Sequence, residues 1–352
     1  MYLDARRGLP VLLLVLLCAS ITVGMQTWIG DVTIYAEELQ VKRALLHESI
    51  LANAPPEGES WASMGARTTN LRVGSVFLAE LVHEVAGLSV YNAYRLLDSI
   101  FLFLVLVGLY FYLRLWVPDA YCIIGLLYFA TCLPLTYFLY YFHPWDKPQL
   151  LLWLILLYLV RERRFIALLA LLMLSMTIKF DTILVPALYL IVHWSREDRG
   201  RVVFEAATLA AAASAVYLGL AWLFPAPQDP SRFTLTSALA ALHMNFGKML
   251  AMKLKYPPLL VHTIPLILAS IWIWKRERYV WCSAIFAVGM LGIWILFTNF
   301  EEVRAEMVAP ILLLPAALMT LRDLLEKVSI TGGRTQPAVL PTGHGDRQGA
   351  VR

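Results

Sequence analysis

Long apolar runs alternate with short polar clusters along most of this chain. Each run reads as one helix, because a helix needs roughly 20 apolar residues to cross a bilayer, or fewer when tilted partners shield its ends. The pattern predicts about ten spans, at 9–29, 96–116, 120–142, 149–160, 165–178, 182–194, 202–224, 258–274, 279–298 and 307–322. Pro134 breaks the third. The fourth to sixth are short enough to require tilting, breaking or shielding. The expectation is an all-α polytopic membrane protein, with a single transmembrane domain over 1–327 and a separate tail over 328–352.

Two connections are long, 30–95 and 225–257. In the first, Tyr35, Leu39, Leu46 and Ile50 share a helical face, Ala54-Pro55-Pro56-Glu57-Gly58 ends that stretch, and 73–90 is amphipathic again. Two interfacial helices on the outer leaflet are expected there. In the second, 237–254 is helix-like and carries Lys248 and Lys253. The tail after about 328 is rich in Gly, Thr, Pro and Arg without periodicity, and is expected to be a disordered cytoplasmic end.

Composition fits the pattern. Of 352 residues, 60% are hydrophobic and only 15% charged, with a mean hydropathy of +0.67. A soluble domain of this length cannot hide so much apolar surface. The net charge of +4 is spread over short loops and forms no basic patch with interleaved aromatics, so nucleic acid is not an expected partner. It reports orientation instead. Arg6-Arg7, Arg114, Arg161-Glu162-Arg163-Arg164, Arg196 to Arg201 and Lys275-Arg276-Glu277-Arg278 fall on one side, which the positive-inside rule makes cytoplasmic. Both termini are then inside, and a bacterial inner membrane is the expected location. Arg6-Arg7 followed by an apolar run also resembles a signal peptide. The run is long for one and stays apolar past any small-residue cleavage site, so an uncleaved first span is expected. Cys18, Cys122, Cys132 and Cys282 all lie in apolar runs without a CxxC pair, as buried thiols do.

The opposite side collects the candidate chemistry. Asp31 follows the first span, where a partly desolvated carboxylate can act as a general base; the plain alternative is a helix N-cap. His143-Pro144-Trp145-Asp146-Lys147-Pro148 presents an acid and a base in one stiff turn, with Asp146 suited to an acceptor hydroxyl or a metal, and Lys147 or His143 to a phosphate. An interfacial turn with a snorkelling Lys fits the same residues. Lys179-Phe180-Asp181 forms another tight turn, where charge near the hydrocarbon boundary is expensive and tends to be used. Glu301-Glu302-Val303-Arg304 precedes the last span. Acids there suit a helix N-terminus, while Arg304 runs against the charge bias and can grip a phosphate. Glu37 and Glu38 are secondary candidates. Glu80 and His83 have the i, i+3 spacing of a metal pair but no second pair, so no metal site is assigned. No Walker loop, GxGxxG or GxSxG sequence occurs.

Taken together, the acid at Asp31 after the first span, the long first outer loop with two surface helices, the acidic turn at Asp146, the paired short spans around Lys179-Phe180-Asp181, and Glu301-Glu302-Val303-Arg304 running into Val308-Ala309-Pro310 resemble the GT-C superfamily. Its members are polyprenyl-phosphate-dependent glycosyltransferases, many of them in bacterial surface-polysaccharide biosynthesis. The resemblance covers roughly residues 5–325. It implies transfer of a sugar from a lipid-phosphate carrier to an acceptor on the extracytoplasmic face, with inversion. Asp31 then matches the base and Asp146 the second acidic motif, and the leaving phosphate is stabilised by cations or a divalent metal, with no cofactor fixed. Lys179 and Arg304 are phosphate candidates by chemistry and side. Many relatives carry two adjacent acids after the first span, and here Asp31 stands alone. Two other readings stay open: a transporter, flippase, polymerase or ligase of lipid-linked saccharides, and a non-catalytic assembly partner. A transferase requires Asp31 and Asp146 to converge on one outer cavity.

Overall fold

The computed structural model describes residues 5–33, 44–55, 57, 71–137, 143–194, 198–224, 235–251, 258–272, 277–297 and 307–332. These form α-helices and two 3₁₀ segments, with no strand among the described residues. In chain order the helices are α1 (Ala5–Thr33), α2 (Ala44–Ala52), α3 (Val73–Ala86), α4 (Val90–Leu113), α5 (Asp119–Cys132), α6 (Asp146–Arg161), α7 (Phe165–Ile178), α8 (Val185–His193), α9 (Arg199–Leu223), α10 (Leu235–Ala251), α11 (Pro258–Trp272), α12 (Arg278–Phe297) and α13 (Val308–Gly332).

Each of the ten apolar runs is answered by a helix, but ten crossings do not follow. Five helices, α1, α4, α9, α12 and α13, are long and apolar enough to cross a membrane. The other five, α5, α6, α7, α8 and α11, have 9 to 16 residues. At a rise of 1.5 Å per residue, sixteen residues reach about 24 Å, short of a hydrocarbon core of roughly 30 Å. Hydropathy counts apolar runs; it does not measure reach. At Pro134, α5 gives way to the 3₁₀ segment Leu133–Tyr137, where the missing proline N–H interrupts the α-helical ladder. α13 continues to Gly332, beyond the expected boundary at 327.

The helices pack by side-chain fit. α4 lies against α1, α3, α5 and α6, α7 against α3, α6 and α9, and α13 against α11 and α12, while α8 joins the two groups by touching α6 and α12. One continuous core runs through them, including Leu106, Leu109, Phe129, Trp153, Leu168, Leu188 and Leu312. In lipid such packing, more than the hydrophobic effect, holds helices together. On α1, Leu9, Leu13, Leu17, Ile21, Met25, Trp28 and Val32 form an exposed apolar stripe, and Val15 and Ala19 face the core. Three thiols are buried and Cys18 is half-buried, all four free.

The two helices of the first long loop dock on the protein by one face. Leu46 and Ile50 of α2 and Val73 and Val76 of α3 form a cluster with Trp145 and Ile178. Gly74 makes the approach of α3 to α7 possible, since a Cβ there would lie 2.5 Å from Thr177 Oγ1 and 2.7 Å from Ile178 Cδ1. Gly87, with φ +64°, ends α3 in the left-handed conformation that Gly adopts at least cost. Phe77, Leu81 and Val85 of α3 remain exposed, the apolar face expected of an interfacial helix.

Polar groups gather at the two ends of this bundle. At the arginine-rich end Arg163 bonds Asp198 at 2.7 Å and Glu205 at 3.3 Å, and Arg161 lies 4.7 Å from the ring of Trp116, which stacks on Tyr279. The hydrogen bond to Asp198 raises the Arg163 guanidinium further above its ordinary value.

Candidate functional site

Asp31 lies within the last turn of α1. The helix passes through Gly30 to Thr33, so the N-cap alternative does not hold. A carboxylate there faces the negative end of the helix dipole, a placement that costs about 0.3–1 kcal/mol. Arg95 of α4 offsets it, with Nη2 2.5 Å from Asp31 Oδ2, and the same guanidinium sits 5.5 Å from the Tyr91 ring.

One turn along α4 is Asp98, only 4% exposed. Lys147 Nζ lies 3.7 Å from its Oδ1. Lys147 is the second residue of α6, where a cation opposes the helix dipole, so a nearby carboxylate is what keeps it tolerable there. Asp146, the first residue of α6, is placed favourably by the same rule. It is 7% exposed and accepts a 3.1 Å hydrogen bond from Lys179 Nζ. Lys179 caps the C-terminus of α7, the end that favours a cation, and also lies 3.7 Å from Asp181 Oδ2.

Gln149, one turn into α6, secures this corner. Its Nε2 donates to the Lys179 carbonyl at 3.0 Å and to Asp181 Oδ1 at 2.5 Å. Trp153 Nε1 reaches the same carboxylate oxygen at 3.4 Å, and Ser175 donates to Thr182 at 2.9 Å. Arg72, just before α3, lays its guanidinium 4.5 Å over the Trp145 ring and 5.6 Å from Phe180. His143 meets Trp145 edge-on at 5.0 Å between centroids. Asp31 is thus paired with Arg95 and Asp98 with Lys147, while Asp146 and Asp181 share Lys179. Charge this deep is tolerable only when paired and hydrogen-bonded.

Beside the network, His47 links the outer-loop helices to α4. Its Nδ1 lies 3.0 Å from the Tyr94 hydroxyl and its Nε2 2.9 Å from Glu80 Oε2. Glu80, His83 and Glu84 bring one ligand atom each within 4.8 Å of one another. Glu84 thus joins the sequence pair, and a divalent cation finds three donors there.

Of the residues singled out from sequence, Asp146, Lys179 and Asp181 meet in one buried network, and Lys147 turns from it to pair with Asp98. Asp31 is held by Arg95, one turn of α4 from the Asp98–Lys147 pair, and His143 packs on Trp145. Asp31 and Asp146 belong to separate pairs, Asp31–Arg95 and Asp146–Lys179, with the Asp98–Lys147 pair one turn of α4 from the first and one residue of α6 from the second. Glu37, Glu38, Glu301, Glu302 and Arg304 lie outside the described residues. Arg95, Asp98, Gln149 and Arg72 were missed. The available signal was a charged pair one turn apart at the head of an apolar helix, which is costly enough in a membrane to mark a site. Lys147 and Lys179, expected as phosphate ligands, are each engaged by carboxylates. The Asp31 side chain, 39% exposed, can accept a proton from an incoming group. No known protein family, characterised protein or solved structure matches the chain.

Proposed function

We propose that this protein is an integral membrane glycosyltransferase. It moves a sugar from a polyprenyl-phosphate carrier to an acceptor hydroxyl on the extracytoplasmic face, with inversion. Asp31 takes the acceptor's proton as the oxygen attacks the anomeric carbon. The bond from that carbon to the phosphate oxygen breaks, and the lipid phosphate leaves with the electron pair. Arg95 keeps Asp31 oriented. The Asp98–Lys147 and Asp146–Lys179–Asp181 groups fix the helix ends that frame the donor headgroup. The roughly ten membrane passes and the cytoplasmic termini belong to the same proposal, with the arginine-rich end inside.

The observation that carries it is the placement of Asp31: a solvent-accessible acid at a helix end that disfavours it, pinned by Arg95 one turn of α4 from the buried Asp98–Lys147 pair. The experiment is release of polyprenyl phosphate by the purified protein from a panel of polyprenyl-phosphate sugars, with Asp31→Asn alongside. Turnover that survives Asp31→Asn, or no release from any donor, overturns it.

A second reading has one specific observation behind it. Asp98 of α4, a helix long and apolar enough to cross, forms a buried ion pair with Lys147 of α6, and buried charge in a span suits a transporter of lipid-linked saccharides. Flipping of a labelled lipid-linked saccharide in liposomes separates the two. A transporter keeps it in Asp31→Asn and loses it in Asp98→Asn.

A further inference from the structure

At the end of the bundle away from Asp31, the last three helices enclose a cavity of about 180 Å³. It is lined by Ile267, Ser270 and Ile271 of α11, by Trp281, Ala284, Ile285 and Val288 of α12, and by Leu313 of α13. The lining is apolar in practice, because Ser270 Oγ returns its proton to the Leu266 carbonyl at 2.7 Å. Ile271, Ile285 and Val288 are exposed on the outer surface of the bundle, so the cavity opens sideways, where lipid chains lie around a membrane protein.

The mouth of this cavity is basic. Lys327 Nζ sits 5.5 Å over the ring of Trp272, the residue after the cavity-lining Ile271. Arg278 opens α12 one turn before the cavity-lining Trp281, its guanidinium donating to the Trp194 carbonyl. Trp272 and Trp281 are the residue type that settles at headgroup depth. An apolar slot with an aromatic and cationic rim matches one kind of occupant.

We infer that the α11–α12–α13 cavity binds an anionic phospholipid of the arginine-rich-side leaflet, one acyl chain in the slot and the phosphate headgroup beside Lys327. A zwitterionic lipid offers the same chain and no net charge, so the site discriminates by headgroup. Near a membrane surface each Lys or Arg contributes about 1 kcal/mol toward an anionic lipid. This site is independent of the transferase proposal.

The test is native mass spectrometry of the full-length protein, purified in detergent and incubated with equal amounts of phosphatidylglycerol and phosphatidylcholine of identical chains. The wild type is expected to retain one phosphatidylglycerol in preference to phosphatidylcholine. Ala284→Phe, which fills the slot, should lose retention of both lipids at that site. Lys327→Gln, at an exposed position, should keep a bound lipid but lower the headgroup preference about fivefold, the factor equal to roughly 1 kcal/mol. Equal retention of the two lipids by the wild type overturns the inference, as does an unchanged preference in Lys327→Gln. If Ala284→Phe fails to fold, Lys327→Gln alone decides.

Discussion

Arg95 Nη2 lies 2.5 Å from Asp31 Oδ2, joining the end of the first helix to the start of the fourth across 64 residues of sequence. Both side chains are partly exposed, and an ion pair of that kind contributes about 0.2–1 kcal/mol. Asp31→Asn should therefore leave the melting temperature in detergent almost unchanged. Loss of a general base should lower turnover by about 10²–10⁴-fold. Parallel thermal unfolding and lipid-phosphate release measure the two effects. A large loss of stability with no loss of turnover would make Asp31 a structural residue.

The Asp98–Lys147 pair behaves differently because it is buried. Removing one partner strands the other's charge, at about 3–5 kcal/mol. Asp98→Leu and Lys147→Met should each unfold the protein at clearly lower temperature, while the double variant recovers most of the loss. A double variant as unstable as the sum of the singles would mean the two groups are not coupled.

Gln149→Glu replaces the amide that donates to Asp181 at 2.5 Å with a second carboxylate. Both this change and Gln149→Leu take the donor from the Lys179 carbonyl and from Asp181, at about 1–3 kcal/mol each; the Glu variant adds a like charge beside Asp181 and should destabilise more. Thermal stability compared between pH 5 and pH 8 checks the cause. The excess cost of the Glu variant should shrink at the acid end, where one of the two carboxyl groups takes up a proton.

Gly74→Ala tests the docking of α3. The added methyl meets Thr177 Oγ1, Ile178 Cδ1 and, at 3.1 Å, the Thr177 carbonyl. Overpacking of this kind costs about 1–3 kcal/mol. Hydrogen exchange should speed up in α3 while the amides of α13 keep their protection. Uniform change in both helices would show that α3 is not a separable unit.

The helices were legible because periodicity and apolar length are local properties. The run at 165–178 became α7 with those ends, and Pro134 marked the handover to a 3₁₀ turn. The wiring of the site was not legible. Asp146 and Lys147 look like one acid–base couple in sequence, yet in the fold they turn to different partners, Lys179 and Asp98. In sequence Arg95 falls at the edge of a loop and Asp98 inside an apolar span, since a hydropathy window averages a charged turn into its neighbours. Gln149 carries no charge, and only the requirement that buried amides be bonded brings it into view. The number of crossings was not legible for a related reason, because an apolar run shorter than the bilayer is wide reads the same whether its helix crosses or stops; five helices have the length.

α1 is held on one flank only, with a row of large apolar side chains from Leu9 to Val32 turned away from the bundle. Its apolar length, 24 residues, amounts to about 36 Å at 1.5 Å per residue, against a core of roughly 30 Å. The helix must lean to fit, and how far it leans is decided by the surrounding lipid. Thinner bilayers would steepen that lean while the interior network stays as it is. Acyl-chain length thereby becomes a control on how high the carboxylate at the tip of α1 rides above the membrane.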